Sequence, residues 1–259
     1  MSTAIGHVEA LFRYPVKSMA SEQLEAAELG WYGLEGDRRL ALRRMDLSIN
    51  DRSGMPWLTA SKLPDLVRYV PHPHENGPRR ELPTHVRTPD GEVLPVFGDA
   101  LAAEVGRRFG APVQMMQLRH GIFDEASLSV VASETVDEIG RLAGLGLDIR
   151  RFRPNVVVRL LRPVPFQEDE WVGGMLCFGD GDSQENDGPA VSVTLRDERC
   201  AMVNLDPDTA SIAPEVMKAV VRVNQNNAGI YAAITRTGRL DVGQKIFLRG
   251  DPAKSPPCR

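Results

Sequence analysis

The stretch Phe152-Arg153-Pro154-Asn155-Val156-Val157-Val158 decides how the rest of the sequence reads. Its second half is an unbroken apolar run, the pattern of a strand buried on both faces. Its first half places a guanidinium, a proline and a side-chain amide where that strand begins. Strand signals continue on either side. Val8, Ala10 and Phe12 alternate with polar neighbours until Tyr14-Pro15 breaks the run. Leu40 and Leu42 repeat the alternation within Arg38–Arg44, after a turn at Gly36-Asp37. Val191, Val193 and Leu195 alternate with Ser192, Thr194 and Arg196, and Met175–Phe178 reads as a short apolar strand. Pro89-Asp90-Gly91 marks a hairpin. Tyr231–Thr235 and Lys245–Arg249 flank a turn at Thr237-Gly238 and read as a closing hairpin. Pro71–Pro83 and the acidic, glycine-rich Gly179–Pro189 read as loops.

Three helices interrupt this pattern. Asp99 is placed to cap one that carries Leu101, Val105 and Phe109 and ends at Gly110. Ser133 is placed to cap a second, with Val136, Ile139 and Ala143 ahead of Gly144. Pro214 suits the first position of a third, with Val216, Val220 and Val223 on one face. The fold class expected is mostly β with a few helices (α+β), barrel-like, with a boundary near residue 115.

The bulk numbers bound the function. A chain of 259 residues, 42% hydrophobic and 25% charged, is long enough for one large domain or two modest ones with a sizeable core. A net charge of −4 provides no global basic field for nucleic acid. No apolar run approaches membrane-spanning length, and Met1–Ala10 lacks the pattern of a secretory signal. The three cysteines, Cys177, Cys200 and Cys258, are too few and too scattered for a disulfide framework or a zinc ribbon. They are also too few for a four-cysteine iron–sulfur cluster. A cytoplasmic location is expected.

Lys17, Arg38, Arg153 and Arg199 all fall beside turns or strand starts. Singly, each reads as a solvated surface charge; together they suit an anionic ligand, because guanidinium recognises phosphate in a planar, bidentate way. Ser18 adds a hydroxyl donor, and Asn155 offers both donor and acceptor to the edge of a heterocycle. Cys200 is open to two readings. It is a small buried hydrophobe, or a thiolate favoured by Arg199 that ligates a soft or redox metal. One such ligand cannot hold zinc alone, but it can serve a metal whose other ligands arrive with a cofactor. Cys177 reads as core and Cys258 as part of a Pro-rich tail. Asp206-Pro207-Asp208-Thr209 reads as a proline turn with Asx hydrogen bonds. His72 and His74, lacking a third ligand nearby, read as a solvated loop.

Tyr14-Pro15-Val16-Lys17-Ser18, Gly36-Asp37-Arg38, Phe152-Arg153-Pro154-Asn155 and Arg199-Cys200 ahead of Asp206-Pro207-Asp208-Thr209 together resemble MOSC-domain proteins. The likeness is to the amidoxime-reducing component and its bacterial relatives. It implies an N-terminal β-barrel-like domain over residues 5–115 and a MOSC β-barrel domain over 116–250, with 251–259 as a flexible tail. It implies the molybdenum cofactor, with Cys200 as the metal's protein ligand. Lys17, Ser18, Arg38, Arg153, Asn155 and Arg199 would hold the pterin and its phosphate, and Tyr231 would lie near it. Thr59 and Pro64 keep part of a family stretch in which Ser61 stands where arginine is usual. Glu125-Ala126 stands where the amidoxime reducers carry Asp-Thr and is placed by the resemblance among the cofactor-binding residues, with a departure that bears on substrate and detailed mechanism. The activity implied is reduction of N-hydroxylated or N-oxygenated small molecules, with electrons from a separate reductase or ferredoxin-type protein. Alternatives are a non-catalytic cofactor carrier, or a sulfur carrier with a persulfide on Cys200.

Overall fold

A computed structural model describes residues 2–46, 56–73, 82–179 and 188–250. Among these the N-terminal half contains β1 (Ser2–Arg13), β2 (Glu22–Leu24), β3 (Ala26–Gly30), β4 (Gly33–Leu34), β5 (Leu40–Arg44), β6 (Val70–His72), β7 (His85–Arg87), β8 (Val93–Pro95) and helix α1 (Asp99–Phe109). The rest contains β9 (Val113–Gln117), β10 (Leu128–Ala132), α2 (Ser133–Ala143), β11 (Val156–Leu160), β12 (Met175–Phe178), β13 (Ala190–Glu198), α3 (Pro214–Asn224), β14 (Asn227–Arg236), β15 (Gly238–Asp241) and β16 (Lys245–Arg249).

Seven strands run in the order β11-β10-β14-β13-β12-β16-β1, and β1 pairs back onto β11, so the sheet closes into a barrel without free edges. β10 and β11 are parallel, Val130 opposite Val156, and a parallel pair needs a crossover, which α2 supplies. Val156, Val158 and Leu160 point into the barrel with Val8, Leu11, Val130 and Ile230, while Val157 faces outward onto Phe12 and Tyr14. The apolar run 156–158 is thus buried on both faces, as its sequence requires. Helices α2 and α3 cover the outside of this region through Val136, Ile139, Val216 and Val220.

A second core packs Val16, Met19, Leu40, Leu42, Leu66, Tyr69, Leu101, Val105 and Met115 around α1, the β5–β9 pair and the β6-β7-β8 sheet. Leu205 belongs to it too, so the segment just after Cys200 leans on the N-terminal half of the chain. The chain passes from the first core to the second along the stretch that follows β1. A single parallel bridge, Val16 to Leu40, fixes residues 14–19 beside β5.

The closing hairpin is absent: β14 pairs with β13 and β10, β16 pairs with β1 and β12, and β15 between them pairs with β3. Barrel closure takes those strands to different neighbours. The alternation of Val8, Ala10 and Phe12 is broken by a register shift between Val8 and Ala10, which turns Leu11 into the barrel. Leu195 is exposed because β13 shifts register between Val193 and Leu195 and again between Arg196 and Glu198. Asp99 and Ser133 are the first helical residues rather than caps, and neither caps through its side chain. The Ser133 hydroxyl instead donates to the Val158 carbonyl (3.2 Å). Val223 is more than a third exposed, and Ala219 takes its place on the buried face of α3. Pro71 and His72 lie in β6; His74, most of Gly179–Pro189 and Cys258 lie outside the described residues.

Candidate functional site

Residues from both halves converge on one cleft of about 330 Å³. Lys17 and Ser18 come from the turn after β1, and Arg38 from the turn before β5. Arg153 comes from the turn before β11, Arg199 and Cys200 from the end of β13, and Tyr231 from β14. Cys200 is exposed on the cleft wall, whereas Cys177 is fully buried in β12. Thr59 and Ser61 reach the same wall, their hydroxyls 2.8 Å apart.

The backbone is contorted where the basic groups are presented. Ser18, Arg38 and Arg153 all sit at positive φ (68°, 50° and 50°). Residues with a side chain seldom adopt this left-handed region, and it persists only where surrounding contacts overdetermine it. Those contacts are present. The Arg38 amide donates to the Tyr14 carbonyl (2.8 Å), the Arg153 amide to the Arg150 carbonyl (3.1 Å), and the Lys17 amide to the Leu40 carbonyl (2.8 Å).

Asp37 organises the floor. It is 1% exposed, accepts from the Tyr14 amide (2.7 Å) and from Asn155 Nδ2 (3.1 Å), and pairs with Arg38. Asn155 lies beneath the cleft. Its amide donates to the Phe12 carbonyl and accepts from the Ser129 amide, so it braces the floor. The guanidiniums of Arg38 and Arg153 both rest on the Tyr14 ring, 4.8 and 4.2 Å from its centroid. Arg153 donates to the Met19 carbonyl (2.8 Å), but its buried Nη2 has no hydrogen-bond partner among the described residues. Burial lowers its pKa to about 10, and no carboxylate among the described residues forms an ion pair with it. Asp37 and Asp124 act on its charge without pairing with it directly.

Glu125 and Ala126 do not line the cleft; their neighbour Asp124 does, reaching Lys17 Nζ at 2.9 Å. Burial alone would raise the Asp124 pKa, but Lys17, Arg38 and Arg153 hold it below the usual carboxylate range. Arg199 lines the cleft with its groups turned inward. Nε donates to the Ala228 carbonyl (2.6 Å), Nη1 donates to the Phe152 carbonyl (2.7 Å), and Nη2 lies 2.8 Å from Asp197 Oδ2 in charge contact. Gly229 (φ 84°) lets this arrangement close, since a Cβ there would meet the Val130 carbonyl oxygen at 2.6 Å and Arg199 Nη2 at 3.1 Å. Asp197 is 1% exposed and accepts from the Ser129 hydroxyl (2.9 Å). Burial raises its pKa against the opposing pull of Arg199, Ser129 and Tyr231. Burial, then Asp197, raises the pKa of Tyr231, so its hydroxyl stays protonated.

Sequence reasoning passed over Asp37, Ser129 and Asp197 as site residues. The available signal was an acid at an inward strand position two residues before Arg199, and an acid beside arginine in a tight turn. Asp206 accepts from the amides of Asp208 and Thr209, the turn its sequence describes, and also pairs with Arg151 (2.8 Å).

The MOSC domain matches residues 117–247, and the MOSC N-terminal beta barrel domain matches residues 5–98. The chain therefore belongs to the MOSC family, a family associated in general with the molybdenum cofactor. No curated protein matches the sequence. Among solved structures, the YuaD protein of Bacillus subtilis is similar over 96% of this chain and 97% of its own, with TM-score 0.50 and 16% identity. That likeness concerns the fold alone. YiiM from Geobacillus stearothermophilus matches 48% of this chain and 54% of its own, at TM-score 0.35 and 15% identity. Among the described residues no helix is long and apolar enough to cross a membrane.

Proposed function

We propose that this chain is a molybdenum-dependent oxidoreductase that removes oxygen from N-hydroxylated or otherwise N-oxygenated small molecules, using electrons from a separate redox protein. The observation that carries the reading is the composition of the cleft. One exposed thiol, Cys200, faces Lys17, Ser18, Arg38 and Arg153, all drawn to one place from distant parts of the sequence. A soft sulfur donor beside such an anion-binding set fits a metal that arrives on an anionic organic cofactor. The strained backbone at Ser18, Arg38 and Arg153, and the lack of a paired carboxylate for Arg153 among the described residues, fit the same occupant.

In this reading Lys17, Ser18, Arg38 and Arg153 bind the phosphate and pterin. Asp37, Asn155 and the Tyr14 ring hold the two guanidiniums in place, and Cys200 ligates the metal. Bound there, the cofactor would supply the two-electron redox chemistry. Taking oxygen from an N–OH group consumes two electrons and two protons and releases water, and the described part of the chain holds no cluster of metal-ligating side chains to store those electrons. Asp124 and Tyr231 lie within the same walls and would help orient the substrate.

Protein produced in a host that makes molybdopterin should contain about one molybdenum per chain, and with a chemical reductant it should turn over an N-hydroxylated amidine. Normally folded protein that carries zinc or no metal from such a host would contradict the reading. Molybdenum without turnover would favour the carrier alternative.

A further inference from the structure

A second and much smaller cavity of about 20 Å³ adjoins the cleft at Arg153. Tyr14, Arg150, Arg151, Arg153, Met202 and Leu205 line it. We infer that this cavity binds one small monovalent inorganic anion of chloride size, held by the Tyr14 hydroxyl and by N–H groups of Arg151 and Arg153.

Three residues that line it each carry a buried polar atom with no hydrogen-bond partner among the described residues: Tyr14 Oη, Arg151 Nε and Arg153 Nη2. Tyr14 is 0% exposed and Arg151 9%. Such atoms are costly to leave unpaired, and three such residues around one cavity point to an occupant. The sign of that occupant follows from the donor inventory. Arginine nitrogens only donate, and a tyrosine hydroxyl can donate. A water molecule would bring two hydrogens to a set with one acceptor, Tyr14 Oη. An anion brings none and accepts from all three. Burial pushes the Tyr14 pKa up to about 12, so its proton remains available to donate.

The charges agree. Arg150 pairs with Asp148 (2.5 Å) and Asp208 (2.7 Å), and Arg151 pairs with Asp206 (2.8 Å). Among the described residues Arg153 has no such partner, and with Arg151 and Met202 it lines both this cavity and the larger cleft. Size sets the class. A single water-sized occupant needs roughly 10–15 Å³, so a monatomic halide fits and a tetrahedral phosphate does not. The anion would supply Arg153 with a counter-charge on its inner side, fixing the guanidinium whether or not the larger cleft is filled.

The test uses the full-length protein without molybdenum cofactor, so its outcome is independent of the proposed activity. Crystals soaked in sodium bromide should show an anomalous difference peak within hydrogen-bonding distance of Tyr14 Oη, Arg151 Nε and Arg153 Nη2. A peak confined to the larger cleft, or a non-anomalous water at this position, would overturn the inference. In solution, the unfolding midpoint should be roughly 2–5 °C higher in sodium chloride than in sodium gluconate of equal ionic strength, because gluconate is too large to enter. Tyr14→Phe keeps the ring under both guanidiniums and deletes one donor, so it should remove most of that difference. If Tyr14→Phe fails to fold, Arg151→Lys, which keeps the charge and deletes Nε, makes the same comparison. A chloride-specific rise that is undiminished in the variant would count against the site.

Discussion

Replacing Arg199 with alanine separates a residue that braces the cleft from one that only binds ligand. The guanidinium is 8% exposed, donates to the carbonyls of Ala228 and Phe152, and faces Asp197, itself 1% exposed. Removing it strands a buried carboxylate whose remaining described partners are Ser129 and Tyr231, a loss of about 3–5 kcal/mol. Two carbonyls also lose their donors, at about 1 kcal/mol each. The cavity left behind admits water and offsets part of this, so a net loss of roughly 4 kcal/mol is expected, or a midpoint lowered by roughly 8–16 °C. The double variant Arg199→Ala/Asp197→Asn deletes the stranded charge and should recover about 2–3 kcal/mol of it. The pH dependence has a definite sign. Burial already holds the Asp197 pKa above the ordinary value, and losing Arg199 raises it further. A carboxyl with a raised folded-state pKa contributes stability that is present in acid and lost as pH rises through that pKa. The deficit of Arg199→Ala should therefore shrink as pH falls from 8 towards 5. Urea unfolding across that range is the assay. A single variant within about 1 kcal/mol of wild type, or a double variant no better than the single, would refute the assignment of Arg199 as a buried strut.

Three further outcomes follow from other contacts. Gly229→Ala should lose more than about 1 kcal/mol in the same unfolding assay, because it combines positive φ with a clash against the Val130 carbonyl. Unchanged stability would mean the backbone relaxes freely there. Glu168 accepts from the Thr135 hydroxyl (2.9 Å) and the Ala132 amide, and burial pushes its pKa up to about 7. Its contribution is therefore full below pH ~4 and lost as pH rises through about 7, so Glu168→Gln should flatten the stability slope between pH 5 and 8; a slope identical to wild type would exclude Glu168 as its source. Arg38→Ala should lower cofactor retention by about tenfold to a hundredfold, measured as molybdenum per chain after dialysis, and full retention would make Arg38 a structural residue only.

Much of the fold was legible where side-chain period and backbone geometry agree. The run Val156–Val158 is buried on both faces because β11 lies between the barrel core and the Phe12–Tyr14 layer. Pro214 opens α3, and Gly110 and Gly144 close α1 and α2 in left-handed conformations. The failures cluster at register shifts. Nothing in the alternation around Val8 or Leu195 announces a bulge, yet each shift changes which side chains enter the barrel. The expected hairpin of β14 and β16 failed because closure is a long-range property that local turn signals do not carry.

The site was legible in part. Lys17, Ser18, Arg38, Arg153, Arg199, Cys200 and Tyr231 are together on one cleft, while Asn155 is in its floor and Glu125 and Ala126 are off its walls. The roles of the acids Asp37 and Asp197 were not legible because they depend on burial, which single-sequence patterning does not reveal. Ser18, Arg38 and Arg153 show no sequence sign of their left-handed backbone, since non-glycine residues are not expected there.

The central claim concerns one bond, between Cys200 and molybdenum, and X-ray absorption at the molybdenum edge tests it most directly. Wild type, Cys200→Ser and Cys177→Ser would be loaded in the same host. Serine preserves the size of the side chain but offers a hard oxygen, so the exposed position should tolerate it structurally while the metal's neighbours change. Cys177→Ser buries a hydroxyl in the apolar β12 and should lose about 1–3 kcal/mol of stability without altering the metal. The account predicts one sulfur neighbour more at molybdenum in wild type and Cys177→Ser than in Cys200→Ser; the same sulfur count in all three would contradict it.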